Sequence, residues 1–257
     1  MGGFFHNLRH PRRCYVVCAI ARSGSNLLTD GLHMTRRAGR PKQFFLPSRE
    51  AYYAAKSGLD SRDFAAYVRG IIPATATSNE VFGFKLMVWY LKDFLRRLRE
   101  TKAFGDESAR DLEILRNAFP RLEFIQIVRR NKVRQAISRA RAGQTGLWKL
   151  CNGKQATGKP SFDPALINNC LTEAAVHDEM WKDFFHSIEV EPFRVEYEQL
   201  CEDYENTLRS VLDYLRIALP RGTRIGPPRT IRQADEISVE WEKRFLALHP
   251  QLQPALW

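Results

Sequence analysis

Five consecutive residues near the start of the chain carry groups suited to holding an anion: Arg22, Ser23, Gly24, Ser25 and Asn26. They follow an apolar run and open a segment with helical spacing, which predicts a loop between a strand and a helix. Such a loop presents backbone N–H groups and the positive end of the helix dipole to an anion. Hydroxyl groups and the planar guanidinium of Arg22 add hydrogen-bond donors. The alternative is a plain strand–helix turn, in which small residues are also common.

The residues around this loop indicate which kind of anion it would hold. The loop lacks the lysine of a Walker A motif, GxxxxGK[ST], which reaches the outer phosphates of a nucleotide. Arg129 and Arg130 follow the third predicted strand, where a magnesium-binding aspartate would be needed. A donor whose transferred group carries less charge than a phosphoryl group, such as a sulfuryl donor, fits this set without a metal. A small-molecule kinase is disfavoured for the same reason.

Lys85 interrupts an otherwise apolar strand predicted at 81–87. A lysine at the end of a strand that faces the loop would stabilise negative charge on a bridging oxygen as a group is transferred. The alternative is a lysine on an edge strand whose ammonium group reaches solvent.

The elements that must position these residues follow from the hydrophobic periodicity. Strands are predicted at 14–20, 81–87, 122–128 and 191–197. Helices are predicted at 25–37, twice within 48–70, and at 89–100, 106–119, 131–142, 163–188, 204–217 and 238–248, with a loop at 220–228. Their alternation predicts an α/β fold with a parallel sheet and helices on both faces. Ligands of such sheets bind at the carboxyl ends of the strands.

The composition sets the broad class of the protein. The chain has 257 residues, 44% of them hydrophobic, which fits a single domain over 1–257. No stretch approaches the roughly 20 apolar residues of a membrane span, and the N-terminus lacks a signal-peptide pattern. Five cysteines without a CxxC pair disfavour a disulfide framework or a zinc site. We therefore expect a cytoplasmic protein that needs no metal.

The formal net charge of +11 indicates an anionic partner of some kind. Residues 124–162 contain no acidic side chain, and the basic helix predicted at 131–142 lies within them. A nucleic-acid-binding protein is one alternative that this charge suggests. The helix lacks interleaved aromatic residues, however, and no recognised nucleic-acid module is present, so we expect no nucleic-acid partner.

Six segments, taken together and in order, resemble the bacterial carbohydrate sulfotransferases of the trehalose 2-sulfotransferase type. They are RSGSNLL (22–28), GRPKQFF (39–45), GFKLM (83–87), RRNKVRQAISRARAGQTGLW (129–148), VEYEQL (195–200) and IRQADEISVEW (231–241). The resemblance covers nearly the whole chain. It implies a P-loop-like sulfotransferase fold, with 3′-phosphoadenosine 5′-phosphosulfate as the donor and a carbohydrate or glycolipid hydroxyl as the acceptor.

The resemblance also implies roles for individual residues. Residues 22–26 would bind the 5′-phosphosulfate, and Lys85 would act on the leaving group. Arg129 or Arg130 would bind the 3′-phosphate together with Ser138, and the sequence does not decide between the two arginines. Arg232 and Gln233 would close over the nucleotide. Residues 124–162 would then form an electropositive wall around the donor.

The acceptor side holds one departure from the family pattern. Arg40, Phe44 and Phe45 are expected in the acceptor pocket, with burial in the core as an equal alternative for the two rings. The family carries a glutamate just before the aromatic pair as general base, where this chain has Gln43, which cannot take a proton. His33, Glu50 and Glu173 are possible substitutes. Because of this departure, a degenerate sulfotransferase that binds nucleotide without turnover is an alternative interpretation. The sequence does not determine the oligomeric state, and a homodimer is one of the alternatives.

Overall fold

The computed structural model describes residues 13–148, 157–228 and 236–252. Its centre is a four-stranded sheet of β1 (Arg13–Ala19), β2 (Val81–Met87), β3 (Leu122–Val128) and β4 (Phe193–Glu196). The strand order is β2-β1-β3-β4, and every pairing is parallel. The predicted α/β fold with a parallel sheet is confirmed.

Helices fill the crossovers that parallel strands require. α1 (Ser25–Met34), α2 (Pro47–Lys56) and α3 (Phe64–Thr75) join β1 to β2, and α4 (Leu91–Glu100) and α5 (Asp111–Ala118) join β2 to β3. α6 (Lys132–Thr145) and α7 (Pro164–Ser187) join β3 to β4, and α8 (Tyr197–Glu202), α9 (Tyr204–Tyr214) and α10 (Glu236–Leu248) follow. Short 3₁₀ turns lie at Val88–Tyr90 and Pro250–Leu252. None of the described helices combines the length and apolar character that crossing a membrane would take.

β1 and β2 are buried almost completely, as expected of strands with helices on both faces of the sheet. Every residue of β2 is buried, and in β1 only the first residue is partly exposed. Strands buried on both faces are near-continuous apolar runs, which is why the bounds of β2 agree with the sequence prediction.

Two groups of buried side chains hold the helices in place. The larger spans the sheet and includes a cluster of aromatic rings beside β2: Phe44, Phe45, Phe82, Phe84, Phe94 and Phe119. The smaller joins α6, α7 and α10 through Val133, Ala136, Ile137, Ala140, Ile167, Trp241 and Phe245. The basic helix predicted at 131–142 therefore has one apolar face, which packs on α7 and α10. Trp181, Phe184 and Phe185 of α7 are buried in the larger group.

Three helices begin at side-chain caps. Asp63, Asn131 and Asp163 accept hydrogen bonds from backbone amides three residues ahead, as polar N-cap residues do. Asp163 is followed by proline in the first turn of α7, which confirms the start predicted for that helix. The cap at Asn131 matters for function, because α6 begins directly after Arg129 and Arg130.

Several element bounds differ from the sequence prediction, most of them by one to three residues, and two of the differences have a clear local cause. α5 begins at Asp111 instead of 106, because the Asp106 carboxylate accepts hydrogen bonds from the amide and hydroxyl of Ser108 and so stabilises a turn. β4 ends at Glu196, since Tyr197 begins α8, a helix that the periodicity did not predict.

Candidate functional site

The loop between β1 and α1 is a tight turn that requires glycine. Gly24 has a left-handed backbone with φ of 90°, and a Cβ there would lie 2.3 Å from the Tyr197 ring. Arg22 is also left-handed, with φ of 61°. A non-glycine residue in that region costs about 1–3 kcal/mol, and such residues cluster at functional sites. The turn leaves the first amides of α1, which have no acceptor within the helix, at the carboxyl edge of the sheet.

The rest of the fold fixes the shape of this loop. The amide and the hydroxyl of Ser23 both donate to the carbonyl of Ile20, at 3.4 and 3.0 Å. Gln135 of α6 donates to the carbonyl of Ala21 at 2.7 Å. The Ser23 hydroxyl therefore stabilises the turn, a partner that the sequence did not indicate. The sequence analysis did not identify Gln135 as a residue that supports the loop. The one feature of the sequence that pointed to it is that a polar residue lies on the apolar side of α6.

Arg22 joins the loop to α6. Its Nε donates to the Ser138 hydroxyl at 2.9 Å, and its Nη1 donates to the carbonyl of Trp148 at 2.5 Å. Two residues placed in one site by the sequence analysis, Arg22 and Ser138, are thus in direct contact although 116 positions separate them.

Lys85 reaches the same loop from β2. Its ammonium group lies 2.7 Å from Oδ1 of Asn26 and 3.4 Å from the hydroxyl of Ser25, and the side chain is only 5% exposed. Although β2 is an edge strand of the sheet, Lys85 does not extend to solvent. The structure therefore brings the predicted lysine together with two predicted loop residues at the N-terminus of α1.

The two arginines after β3 point to different partners. Arg129 is 8% exposed, its guanidinium lies 4.5 Å from the Tyr197 ring, and its Nη1 donates to the carbonyl of Arg22 at 3.4 Å. Its Nε is buried without a hydrogen-bond partner. Arg130 instead pairs with Glu196 at 3.2 Å and is half exposed. Arg129 is the arginine that lies against the loop.

Positive charges are concentrated behind this loop. Burial lowers the pKa of Arg22 to about 10, and repulsion from Arg129, Arg139 and Arg141 acts in the same direction, against an opposing effect of Tyr197. Burial is also the main cause that lowers the pKa of Arg129. The site therefore holds guanidinium groups that are partly desolvated and mutually repelling, and a bound anion would relieve both costs.

The electropositive wall predicted from residues 124–162 lies partly outside the described residues, which omit 149–156, and its described part contacts carboxylates. Acidic side chains from β4, α7 and α10 lie against much of this basic segment. The ion pairs are Arg130–Glu196, Lys132–Asp178, Arg134–Glu242 and Arg139–Glu173, at 3.2, 2.5, 2.7 and 3.1 Å. The acidic-free stretch of the sequence is thus neutralised in part by distant carboxylates, and the concentrated charge lies at Arg22 and Arg129.

Gln43 lies on a segment that runs beside β2. The amide of Lys85 donates to the carbonyl of Lys42 at 2.9 Å, and Lys42 forms a parallel bridge with Phe84. Gln43 is therefore close to Lys85 in the fold, and its Oε1 is buried without a hydrogen-bond partner. The position where the family pattern has a glutamate is adjacent to the predicted site.

The other predicted acceptor residues lie in two environments. Phe44 and Phe45 are 2% and 0% exposed, and their rings pack in the aromatic cluster beside β2. The structure thus supports the core alternative for both rings. Arg40 is exposed.

The three possible substitutes for the missing base differ in what they contact. Glu50 is buried and makes two hydrogen bonds to Arg97, at 2.6 and 2.8 Å, a structural pairing between α2 and α4. Glu173 pairs with Arg139. His33 is half-buried on α1, where burial followed by the charge of Lys42 lowers its pKa.

Two predicted residues, Arg232 and Gln233, lie outside the described residues. Within the described ranges, no group of three or more His, Cys, Asp or Glu side chains is placed to hold a metal ion.

Comparison with known proteins gives matches along nearly the whole chain. The profile of the family described as Stf0 sulphotransferase matches residues 14–247. The Trehalose 2-sulfotransferase of Mycolicibacterium smegmatis is 31% identical, with 92% of this chain and 95% of the relative covered. The Trehalose 2-sulfotransferase of Mycobacterium tuberculosis is 27% identical, with coverages of 93% and 97%. The sulfotransferase domain of the Synechococcus PCC 7002 olefin synthase is 14% identical with a TM-score of 0.46, over 92% of this chain and 95% of that one.

Proposed function

The chain belongs to the Stf0 sulphotransferase family, and on that premise we propose that it moves a sulfuryl group from 3′-phosphoadenosine 5′-phosphosulfate to a carbohydrate hydroxyl. The observation that carries the proposal is the convergence of Arg22, Ser138 and Lys85 on the loop between β1 and α1. The choice of a carbohydrate, whether free or part of a glycolipid, rests on the two relatives named Trehalose 2-sulfotransferase.

The donor would bind across the loop and α6. The first amides of α1, with Arg22, Gly24, Ser25 and Asn26, suit the 5′-phosphosulfate. Ser138 would take the 3′-phosphate with an arginine after β3. The contact of Arg129 with the loop supports Arg129 in this role, and the Arg130–Glu196 pair weighs against Arg130. Arg232 and Gln233 remain proposed nucleotide contacts.

The transfer would be a direct in-line displacement. The acceptor oxygen attacks sulfur and gives its proton to a general base as the bond between sulfur and the bridging oxygen breaks, which yields a sulfate ester and 3′-phosphoadenosine 5′-phosphate. Lys85, fixed by Asn26, would stabilise the charge that develops on the bridging oxygen. One negative charge on the transferred group makes arginine and lysine sufficient without a metal.

Gln43 supports one alternative, a degenerate family member that binds nucleotide without turnover. An amide cannot accept the proton of the acceptor hydroxyl, so turnover requires another base. Sulfated product from wild-type protein with the sulfate donor and trehalose, detected by mass spectrometry, would exclude the alternative. Nucleotide binding without product from any sugar tested would support it.

The nucleotide site is tested by thermal unfolding with 3′-phosphoadenosine 5′-phosphate. A ligand at ~100 times its dissociation constant adds about 2.7 kcal/mol of stability, which raises Tm by roughly 5–10 °C in a chain of this size. Arg22→Ala should abolish that shift. Arg36→Ala is the matched control, since Arg36 is also a left-handed arginine (φ 54°) but is exposed.

Two outcomes would contradict the proposal. Wild-type protein without any shift at millimolar nucleotide would remove its basis. An equal shift in Arg22→Ala and wild type would show that the nucleotide binds elsewhere.

A further inference from the structure

Trp89 is a large exposed side chain at the edge of the sheet where ligands bind. It lies in the 3₁₀ turn that ends β2, the strand that carries Lys85, and it is 49% exposed. The hydroxyl of Tyr90 donates to the carbonyl of Lys85 at 3.0 Å, which ties this turn to the proposed catalytic lysine. The position of Trp89 is therefore fixed relative to the transfer site.

Polar side chains of α7 lie beside this indole. The imidazole of His177 is 6.3 Å from the Trp89 ring, measured between centroids and tilted by 41°. Glu173 is one helical turn before His177, on the same face of α7. Burial is the largest cause that lowers the pKa of His177, so the ring is neutral at neutral pH and can both donate and accept a hydrogen bond.

The same contacts continue to the donor site. Glu173 pairs with Arg139 at 3.1 Å, and the Arg139 guanidinium lies 4.8 Å from the ring of Trp148. The carbonyl of Trp148 in turn accepts the hydrogen bond from Arg22. Through His177 and Glu173, α7 therefore contacts both the Trp89 ring and an arginine that lies near Arg22 of the anion loop.

We propose that Trp89 is the surface on which the acceptor sugar stacks, with His177 and Glu173 as hydrogen-bond partners of its hydroxyl groups. An aromatic face beside a few fixed polar groups is the chemistry that recognises a sugar ring, which has an apolar face and a hydroxylated rim. Phe44 and Phe45 cannot supply that face, because both rings are in the core. This inference rests on the proposed function for the sugar class of its ligand.

The test measures sugar binding separately from turnover. Titration calorimetry with trehalose, maltose and methyl glucoside is carried out on protein saturated with 3′-phosphoadenosine 5′-phosphate. Trp89→Ala should weaken sugar binding by at least about tenfold, because the substitution removes the apolar face on which the sugar ring would stack. Trp89→Phe keeps an aromatic face and should stay within about threefold of wild type. Leu248→Ala, at another exposed apolar residue, should change nothing.

Nucleotide affinity serves as the internal control, and it should be equal in all variants. The inference would be overturned if the Trp89→Ala variant bound sugar with the affinity of wild type. It would also be overturned if the wild-type protein bound none of the three sugars. A change in oligomeric state of Trp89→Ala without loss of sugar binding would assign this surface to a second copy of the chain instead. Failure of the proposed function is a separate result: wild-type protein that binds nucleotide and sugar yet forms no sulfated product.

Discussion

Lys85 is the residue whose surroundings are hardest to explain by folding alone. A buried ammonium group is costly unless acceptors surround it. Lys85 sits in a fully buried strand, and its acceptors, Asn26 and Ser25, belong to the proposed anion loop. An apolar residue at this position would stabilise the strand as well, so the lysine is best explained by the chemistry of the site.

Lys85→Met should lower kcat by about 10²- to 10³-fold, the typical loss when one donor to a developing charge is removed. Methionine retains the length and the burial of the side chain, so the fold should persist. Single-turnover product formation measures the effect. The control is Lys92→Met, on the exposed face of α4. A Lys85→Met variant with the kcat of wild type would remove the lysine from the mechanism.

Gln43 is the second residue whose chemistry decides turnover. It is next to Lys42, whose carbonyl is hydrogen-bonded to the amide of Lys85. Gln43→Glu would place a carboxylate where the side-chain oxygen now has no partner.

We expect Gln43→Glu to raise kcat by at least about tenfold, because general bases contribute typically 10²- to 10⁴-fold. The rate should gain a rising limb with pH, since only the ionised carboxylate accepts a proton. Rates measured from pH 4 to 9 test this, with Gln251→Glu, at an exposed glutamine, as the surface control. An unchanged pH–rate profile would show that another group already acts as the base.

At the residue scale, the sequence predicted the loop and Lys85 but not their partners. Sequence motifs identified Arg22, Ser138 and Lys85 as candidate site residues. The contacts that these residues make depend on tertiary folding. The sequence could not tell which of Arg129 and Arg130 faces the loop, because both follow β3 directly. Only the tertiary contacts distinguish them: Arg129 contacts Tyr197 and Arg22, whereas Arg130 pairs with Glu196. Phe44 and Phe45 fit a pocket or a core equally well until β2 and α4 were placed around them.

At the scale of elements, the loop between β1 and α1 depends on a helix far along the chain. Tyr197 begins α8, and its ring occupies the space that any Cβ on Gly24 would need. The same ring lies against the Arg129 guanidinium. The start of α8 therefore fixes both the shape of the loop and the arginine behind it.

Gly24→Ala should be more destabilising than Gly222→Ala. Both glycines have positive φ, but a Cβ on Gly222 meets nothing within 4 Å. Gly222→Ala, the control, should therefore lower the free energy of unfolding only by the cost of a left-handed backbone, about 1–2 kcal/mol. Gly24→Ala has the same backbone cost and, in addition, a clash between the new Cβ and the Tyr197 ring. Urea unfolding compares the two variants, and calorimetry should show a loss of nucleotide affinity in Gly24→Ala alone. Equal stabilities would mean that Tyr197 moves aside without cost.

The success of the element predictions has a physical cause. A strand covered on both faces leaves a nearly continuous apolar run, so β2 was predicted with its observed bounds. α8 was missed because its six residues are too few to display a helical period. The start of α5 was misplaced because Asp106 stabilises a turn that composition alone does not distinguish from a helix N-terminus.

At the scale of the whole molecule, the formal net charge of +11 raises the question of which class of anion the protein binds. A basic stretch in sequence predicts a nucleic-acid surface only if its cations stay unpaired after folding. Here the pairing of α6 and its neighbours with Asp178, Glu196 and Glu242 removes much of that field. Among the described residues, Arg22 and Arg129 remain as buried cations beside the loop.

We therefore expect the molecule to discriminate a small nucleotide from a polyanion. At 150 mM salt, duplex DNA should bind no more tightly than about 10⁻⁴ M, the weak limit of non-specific binding. It should not displace 3′-phosphoadenosine 5′-phosphate, because Arg22 and Arg129, the cations proposed to hold the nucleotide, are largely buried and several cations of α6 are paired with carboxylates. Fluorescence anisotropy with labelled duplex, in competition with the nucleotide, makes the comparison. Arg22→Ala should lose the nucleotide while its residual DNA binding stays the same. Micromolar DNA binding that falls steeply with salt and competes with the nucleotide would show instead that the charge forms one continuous surface, with the loop as part of a nucleic-acid site.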